Sequence, residues 1–569
     1  MSNNIKSFKD MVDFGWENYM ERVAITERRI TEKGYKDYLY SDLKENIQDL
    51  ATALIEKYHL QGKKVAVIGE NSYQWIVSYL AVTTAVGIVV PLDKELPANE
   101  IQNLIVRSKA EAIIYAPKKA ECIAEIRDKV PTIKHFIEMY SEEDENPNDL
   151  TLDKIIKEGR ELRAAGNQVY ESIKIDPREF KILLFTSGTT AAAKGVMLCH
   201  GNVIGNLDGA RDYLPLTKED KLISILPIHH TYELTGTYMF ALYNGASVGV
   251  CQGLKYISTN MEDYKPTMLV AVPLLLDKLY KKIDKTLIAQ GKKELVTKMV
   301  KITNGLDKVG IKIKRIMFKQ IHQKLGGRLK YVLTGSAPID ANLIKAYEGL
   351  GIAVLQGFGL TETAPLICGT PLSNRKVGTV GIASKGMKVK LDNVNDDGIG
   401  EIITKGTNLM LGYYEAPELT AECVIDGWFH TGDLAYLDKE NNLVVCGRAK
   451  NLIVTKNGKK IFPEELEFLV NEIPEVKESL VYSKENEQDA TDPEVAVIVS
   501  LDEEYIKEKY GKDRPSNENL EEKIWKDIKD INRTLVPYKA MKNIKIKDGE
   551  FEKTTTMKIK RFIEIKKNK

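Results

Sequence analysis

The chain has 569 residues, of which 43% are hydrophobic and 29% charged, with 82 Lys and Arg against 81 Asp and Glu. A chain of this length exceeds one hydrophobic core and predicts roughly two to four structural units of ordinary soluble composition. The formal net charge of +1 excludes a function based on a globally basic, nucleic-acid-binding surface, although a local basic patch stays open.

The six cysteines are scattered singly and form neither a CxxC pair nor a Cys/His cluster with zinc spacing. This usage predicts a reduced, intracellular protein, which we expect in the cytoplasm. No apolar stretch follows a basic start at the N-terminus, so no signal peptide is expected. The longest apolar runs, such as 86–92, are too short to span a bilayer.

The first part of the chain alternates predicted helices with short, buried strands. Helices are predicted at 38–58, 74–86 and 100–110, and strands at 64–69, 87–92 and 112–116. Strands separated by helices predict a parallel sheet covered on both faces. The acidic, proline-broken stretch 141–149 predicts an exposed loop.

The organisation changes toward the C-terminus. A second α/β stretch is predicted from 173 to 386, and short strands separated by turns are predicted at 388–391, 400–403 and 442–445. From about 448 onward the pattern predicts a small α+β domain, with a strand at 494–501 and a helix at 518–535. We therefore predict an α/β protein. Its N-terminal domain, 1–447, contains two α/β subdomains and a small β-rich one, and its C-terminal domain covers 448–569.

The sharpest local signal is a hydrophobic strand, 183–185, that runs into a hydroxyl-rich turn and then a lysine. Backbone N–H groups and hydroxyls in such a turn can surround a polyphosphate, and the lysine adds positive charge. A solvated Ser/Thr loop is the alternative for the hydroxyls alone. A P-loop is excluded because alanine precedes the lysine and glycine follows it. The predicted phosphate-binding residues are Thr186, Ser187, Gly188, Thr189, Thr190 and Lys194.

Residues 186–195 resemble the phosphate loop T-S-G-T-T-G-x-P-K-G of adenylate-forming enzymes, which include acyl-CoA synthetases, luciferases and peptide-synthetase adenylation domains. Ala191 and Ala193 stand where that loop has glycine and proline. The resemblance implies that the chain uses ATP and Mg²⁺ to convert a carboxylic acid into an acyl-adenylate. It also implies that the acyl group then passes to a thiol, that of coenzyme A.

Further segments match this family in order along nearly the whole chain. Residues 356–363 (QGFGLTET) resemble its G-Y-G-L-T-E segment, where glycines let the backbone approach a nucleotide. Phe358 offers a flat face for adenine, although a lone phenylalanine is more often a core residue. The resemblance places Thr361 on a phosphate and Glu362 on Mg²⁺, with Thr186 as a second metal contact. The other nucleotide-binding residues that it implies are Gly335, Ser336, Ala337, Gln356, Gly357 and Gly359.

The C-terminal part carries three more matches, each of which alone would indicate an ordinary turn or surface loop. Asp433 ends a W-F-H-T-G-D segment similar to Y-x-T-G-D, and its carboxylate would accept hydrogen bonds from both ribose hydroxyls. At the domain junction, the resemblance implies that Arg448 contacts the nucleotide and that a mobile C-terminal domain pivots on Lys450. Residues 552–561 resemble P-K-T-x-T-G-K-I-x-R, which makes Lys558 the catalytic lysine.

Residues 226–233 (LPIHHTYE) resemble the L-P-x-x-H segment of acyl-CoA synthetases. The resemblance places His230 near the carboxylate and the route of the thiol. Adjacent side chains on a helix diverge, so we expect no metal site at the two histidines. Peptide-synthetase domains usually place an aspartate near this region to hold the substrate amine, and we find no such acid.

Residues 274–330 are predicted to be helical and contain 16 Lys and Arg against 4 Asp and Glu. Long-chain fatty acyl-CoA synthetases often carry an insertion here, so the resemblance is closest to that branch and implies a fatty acid and coenzyme A as substrates. The basic segment is either a solvated helix face or a peripheral contact with the inner face of the membrane. The acyl chain length of the substrate and the oligomeric state of the protein stay open.

Two rival functions remain. The first is an acyl-AMP ligase that loads the phosphopantetheine arm of a carrier protein. The second is a non-catalytic nucleotide- or acyl-binding relative, for which the departures at Ala191, Ala193 and Met557 are the only support in the sequence.

Overall fold

The computed structural model describes residues 5–28, 34–140, 150–186, 193–486, 493–554 and 558–568. The predicted loop 141–149 therefore lies outside the described residues. The chain divides into two compact units: unit 1 contains 1–388 and 404–429, and unit 2 contains 389–403 and 430–569. The domain boundary expected at 447 stays a prediction.

The first sheet of unit 1 has eight strands in the order β19-β9-β8-β4-β3-β5-β6-β7. Strands β3 to β8 run parallel where they pair, and β9 pairs antiparallel with both β8 and β19. This confirms the predicted parallel sheet. The strands are β3 Lys63–Ile68, β4 Gly87–Leu92, β5 Ala112–Tyr115, β6 His135–Glu138, β7 Leu150–Thr151, β8 Phe180–Thr186, β9 Lys194–Cys199 and β19 Gly412–Tyr413.

The helices of the same part of the chain are α1 Phe8–Tyr19, α2 Tyr40–Glu56, α3 Tyr73–Ala81, α4 Ala98–Ser108, α5 Ala120–Ile126, α6 Leu152–Ala164, α7 Val169–Ser172 and α8 His200–Tyr213. The helix predicted at 74–86 is α-helical only to Ala81 and continues as a π-helical turn, Val82–Val86. The hydroxyls of Thr83 and Thr84 donate to the carbonyls of Tyr79 and Leu80 at 2.8 and 2.7 Å. Such side-chain bonds to the preceding turn are known to distort helices.

The second sheet of unit 1 has nine strands in the order β16-β15-β14-β13-β12-β10-β11-β1-β2. Its central strands, β10 to β14, pair in parallel. The strands are β1 Val23–Glu27, β2 Lys36–Leu39, β10 Lys221–Ser224, β11 Ser247–Val250, β12 Met268–Ala271, β13 Tyr331–Thr334, β14 Ala353–Gly359, β15 Leu366–Gly369 and β16 Ile382–Ala383.

The remaining helices of unit 1 include the predicted basic helical segment. They are α9 Thr231–Glu233, α10 Phe240–Tyr243, α11 Ile257–Tyr264, α12 Pro273–Ala289, α13 Lys293–Lys308, α14 Lys314–Met317, α15 Lys319–Lys324, α16 Ala341–Gly349 and α17 Pro417–Cys423. Of the next short strands, β20 Val424–Ile425 lies in unit 1 and β22 Leu443–Arg448 in unit 2, and three have residues in both: β17 Met387–Asp392, β18 Gly400–Gly406 and β21 Trp428–Leu437.

Unit 2 has its own core around a three-stranded sheet, β25-β26-β27, in which β26 pairs antiparallel with β25 and parallel with β27. Ile524 and Ile528, four residues apart on one helix, are both fully buried in this core. The elements are β23 Ile453–Val454, β24 Lys460–Ile461, α18 Pro463–Val470, β25 Val476–Lys484, β26 Glu494–Leu501, α19 Glu503–Tyr510, α20 Asn517–Thr534, β27 Met541–Lys547 and α21 Arg561–Asn568.

None of the helices that the structure describes has the length and apolar character needed to cross a membrane.

Candidate active site

The predicted phosphate loop connects two antiparallel neighbours, β8 and β9, whose facing end residues are Thr186 and Lys194. Residues 187–190, which include four of the predicted phosphate ligands, lie outside the described residues. Arg107 on α4 supports the end of the loop, because its guanidinium donates to the carbonyl of Ala193 at 2.7 Å and lies 5.3 Å from the Phe185 ring. No sequence pattern predicted Arg107.

Tyr413 connects the lysine of this loop to the predicted metal ligand. Its hydroxyl donates to Glu362 Oε1 at 2.8 Å, and Lys194 Nζ lies 4.9 Å from the centre of its ring. Burial, with the Glu362 charge in second place, raises the pKa of the Tyr413 hydroxyl far above its usual value, so it is a hydrogen-bond donor at neutral pH. Tyr413 belongs to β19, which pairs with β9, and like Arg107 it was not predicted from the sequence.

The two predicted adenine-side segments follow neighbouring parallel strands. Thr334 at the end of β13 faces Gln356 on β14, so Gly335 comes next to Gly357. A Cβ atom on Gly335 would lie 2.8 Å from the Gly357 carbonyl oxygen, which explains the glycine. Ser336 has a φ of 73°, and Ala337 is exposed. The structure thus brings together two motifs that are about twenty residues apart in sequence.

Phe358 and Gly359 end strand β14, and Thr361 and Glu362 follow in the next turn. Phe358 and Gly359 are half-buried, and Phe358 is not part of a hydrophobic core cluster among the described residues. Thr361 and Glu362 are half-buried in a 3₁₀ turn. The Glu362 carbonyl accepts from the Met410 N–H at 2.8 Å, which fixes the turn.

The histidine segment lies in a turn immediately before α9 rather than on a helix. His230 caps that helix, and its Nδ1 accepts from the Tyr232 N–H at 3.2 Å. His229 Nε2 lies 3.8 Å from Asp93, and burial lowers the His229 pKa to about 4, so the ring is neutral at pH 7. Asn71, a third residue that the sequence analysis missed, donates to the Leu226 carbonyl at 2.7 Å and accepts from the Ile228 N–H at 3.1 Å.

A cavity opens between this segment and the ends of β13 and β14. Its wall is almost entirely apolar and includes Leu207, Phe240, Leu333 and Leu355, and it reaches Gln356 and Gly357 at the nucleotide side. Gly236, within a π-helical turn, Leu234–Met239, also lines it. The cavity therefore offers an apolar site that begins at the predicted adenylate motif.

Glu233 qualifies the expectation that this region holds no acid. It is fully buried beside the cavity but does not line it, and in the described chain neither carboxyl oxygen makes a hydrogen bond of good geometry, although the Ser224 and Thr237 hydroxyls lie near it. Burial raises the Glu233 pKa to about 8, so the carboxyl is mostly neutral at pH 7. It is therefore poorly suited to holding a substrate amine.

In unit 2, Asp433 on β21 faces Arg448 on β22, and the Arg448 Nε lies 3.0 Å from Asp433 Oδ1. Asp433 Oδ2 is buried without a hydrogen-bond partner among the described residues. Burial raises the Asp433 pKa to about 6, although the charges of Arg448 and Lys558 oppose the shift. Gly432, with a φ of 71°, donates its N–H to Glu401 at 2.8 Å and so fixes the turn before Asp433.

Lys558 is exposed, and its backbone N–H donates to Thr554 Oγ1 at 3.2 Å. Arg561 from the same motif has a supporting role: it donates to Glu467 at 2.5 Å and also contacts the Val481 carbonyl. Lys450, the predicted hinge, is exposed in a 3₁₀ turn, Ala449–Asn451. The structure thus places Asp433, Arg448 and Lys558 in one electrostatic neighbourhood of unit 2.

Comparison with known proteins identifies the family and the fold of the chain. Residues 13–414 match the family described as AMP-binding enzyme. The chain is 30% identical to long-chain-fatty-acid–CoA ligase 5 of Rattus norvegicus over 76% of the chain and 67% of the relative, and 25% identical to the Mycobacterium bovis long-chain-fatty-acid–CoA ligase FadD15 over 94% and 92%. It has the fold of the anthranilate CoA ligase AuaEII in complex with anthranoyl-AMP, with a TM-score of 0.77, 18% identity, and coverage of 99% of this chain and 97% of that one.

Proposed function

The chain belongs to the AMP-binding enzyme family, and on that premise we propose that it activates a long-chain fatty acid with ATP and transfers the acyl group to coenzyme A. The observation that carries the proposal is the Lys194–Tyr413–Glu362 arrangement, which joins a cation at the phosphate loop to a carboxylate suited to Mg²⁺. The names of the curated relatives support the acid and the thiol.

In the first step, a fatty acid oxygen attacks the α-phosphorus of ATP, the bond to the β-phosphate oxygen breaks, and pyrophosphate leaves. This step chiefly requires positioning of the reactants and neutralisation of charge. We assign Lys194 and the hydroxyl loop to the leaving phosphates, and Lys558 to the α-phosphate and the attacking carboxylate. Thr361 would bind a phosphate, and the Gly335 and Gly357 strand ends would bind the adenine side.

The residues at Glu362 fit a magnesium ion, which prefers oxygen ligands. One carboxylate oxygen accepts from Tyr413, and the described structure gives the other no hydrogen-bond partner. Glu362 would therefore hold the ion through that second oxygen, with Thr186 as a further contact. The bound ion would supply positive charge next to the phosphates.

We assign the ribose to Asp433 and Arg448. A buried carboxylate oxygen without a partner is costly, and ribose hydroxyls are donors that could satisfy it. In the second step, the coenzyme A thiolate attacks the acyl carbon and AMP leaves. We propose that the C-terminal domain, 448–569, pivots on Lys450 between the steps, and that His230 lies on the thiol route.

We assign the acyl chain to the apolar cavity, which leads away from Gln356 and Gly357. Gly236 offers a test of this assignment, because a Cβ atom there would meet its nearest neighbours at an ordinary 3.8 Å. Gly236→Ala should fit, whereas Gly236→Leu should fill the cavity. We expect the leucine variant to lose kcat/KM for palmitate much more than for octanoate, and the alanine variant to lose little for either.

The decisive assay measures pyrophosphate release with ATP and acetate, octanoate, palmitate or benzoate, with and without coenzyme A. We expect the highest kcat/KM with palmitate, and AMP and acyl-CoA as products when coenzyme A is present. Best activity with acetate, benzoate or an amino acid would refute the substrate. Thioester formation only on a phosphopantetheine carrier protein would establish the alternative acceptor, and no release at all would indicate a non-catalytic relative.

A further inference from the structure

The basic helical segment exposes an unusual concentration of apolar side chains. Of the 22 large hydrophobic side chains that are exposed in the described chain, seven lie within residues 288–317. Three of them, Ile302, Val309 and Ile316, are 63%, 72% and 75% exposed. Side chains of this kind exposed together mark an interaction surface more often than isolated ones do. We name residues 288–319 of this segment the basic–apolar face.

The order of the apolar residues makes this a continuous face along α13. Leu295, Ile302 and Val309 are spaced by seven residues, close to two helical turns, so they lie in one line along the helix. A different side of α13 is packed: Thr303, about 100° around the helix from Ile302, is buried, and Val300 contacts Gly349 of α16. The apolar line on α13 therefore faces away from the rest of unit 1.

Contacts at the C-terminal end of α13 fix this orientation. Lys314 forms an ion pair with Asp307 at 2.6 Å and also donates to the Glu348 carbonyl at 3.0 Å. These bonds attach the turn after α13 to α16. The exposed side chains are thus carried by a helix that is anchored in unit 1.

Positive charge borders the apolar line. The side-chain ammonium groups of six exposed lysines of this face have no hydrogen-bond or ion-pair partner in the part of the chain that the structure describes, so their charges remain uncompensated: Lys292, Lys298, Lys301, Lys308, Lys312 and Lys319. An apolar line bordered by lysines is the pattern of helices that lie in the interface of an anionic bilayer.

We propose that the basic–apolar face docks the protein on anionic lipid bilayers, with Leu295, Ile302 and Val309 entering the headgroup region and the lysines contacting lipid phosphates. Charge complementarity selects this occupant over a second copy of the chain. A symmetric dimer through this face would bring the uncompensated lysines of both copies together, and their repulsion would oppose association. The docking is independent of the chemistry assigned to the active site.

Sedimentation of the full-length protein with vesicles of phosphatidylcholine, with or without phosphatidylglycerol, tests the proposal. One variant removes the apolar contacts (Leu295→Ser, Ile302→Ser, Val309→Ser), and a second removes charge (Lys298→Gln, Lys301→Gln, Lys308→Gln). The matched control removes three exposed lysines elsewhere in unit 1 (Lys154→Gln, Lys157→Gln, Lys174→Gln) and so changes the net charge equally. Unfolding midpoints check that every variant is folded.

We expect wild type and control to bind phosphatidylglycerol vesicles at low salt, and to lose most binding in high salt or on phosphatidylcholine alone. Both variants should bind about tenfold or more weakly, because each charge near such a surface contributes appreciably. Absence of wild-type binding, or equal binding by wild type and both variants, would overturn the proposal. So would a dimer in sedimentation velocity without vesicles that the apolar variant abolishes.

Discussion

Two carboxylates assigned to the nucleotide lie in different units and in different environments. Glu362 in unit 1 is half-buried, and its hydrogen bond from Tyr413 uses one oxygen. Asp433 in unit 2 is buried and meets Arg448, but its second oxygen has no hydrogen-bond partner among the described residues. The pKa of Asp433 is accordingly raised to about 6. The same chemical group is therefore suited to different tasks: the Glu362 carboxylate to binding a metal ion, and the Asp433 carboxylate to accepting hydrogen bonds from a ligand.

The largest effect should follow loss of charge in unit 1. Glu362→Gln keeps the shape of the side chain but removes the charge that would hold the magnesium ion. We expect acyl-AMP formation to fall by roughly two to three decades, the scale of a lost electrostatic contribution in an active site. Pyrophosphate release in single turnover measures it. Tyr413→Phe, which removes only the hydrogen bond, should cost about tenfold. Equal activity of Glu362→Gln and wild type would remove Glu362 from the mechanism.

Glu233 is a third carboxylate to compare with Glu362 and Asp433, because it is fully buried. Its folded-state pKa of about 8 is raised above the usual 4.5, so its contribution to stability declines as pH rises between these values and is constant above. Because the folded protein holds this proton after the unfolded chain has released it, the free energy of unfolding should fall by about 3 kcal/mol between pH 5.5 and 8.5. Glu233→Gln should abolish this loss and be more stable than wild type at pH 8.5.

Urea unfolding of wild type and Glu233→Gln at both pH values measures this difference. The control is Glu485→Gln, an exposed carboxylate, which should retain the wild-type pH dependence. A wild type and a Glu233→Gln variant with parallel pH profiles would show that folding does not raise the pKa of Glu233.

The Asp433 environment should be visible in the pH dependence of ATP binding. As pH falls from 7 to 5, the carboxyl takes up a proton and loses part of its capacity to accept from ribose hydroxyls, so KM for ATP should rise about tenfold. Asp433→Asn should have a high KM throughout. The ratio of the two KM values across pH isolates this group from the titration of ATP itself, and a constant ratio would contradict the assignment.

The smallest effect is expected at the base of the phosphate loop. Arg107→Ala removes the bond to the Ala193 carbonyl and should raise KM for ATP severalfold, while kcat changes less. Arg127→Ala provides a matched control, because Arg127 also lies over an aromatic ring, Phe136, but away from the loop. If both variants behave alike, Arg107 contributes only to general stability.

Sequence patterns predicted the regular parts of this structure well. The predicted strands 87–92 and 494–501 match β4 and β26, because each is a run of apolar residues with clear ends. The helix predicted at 74–86 is confirmed, but its last turn is π-helical where threonine hydroxyls compete for backbone carbonyls. A periodic pattern records burial but not such local competition.

The residues missed in the site act through contacts between distant parts of the chain. Tyr413 meets Glu362 across 51 residues, Arg107 meets Ala193 across 86, and Asn71 meets Ile228 across 157. Their positions depend on which strands become neighbours, and no local pattern carries that information. The exposed apolar line on α13 was missed for a related reason, since its spacing alone also fits a buried face.

The division of the chemistry between the two units is the central claim, and half-reaction kinetics of Lys558→Ala test it most directly. Lys558 should serve only adenylation, so the variant should form acyl-AMP roughly two or more decades more slowly than wild type. It should convert synthetic acyl-AMP and coenzyme A to the thioester at nearly the wild-type rate. Lys450→Pro should show the opposite pattern, because proline fixes φ and obstructs the pivot. Equal loss in both half-reactions for both variants would contradict the account.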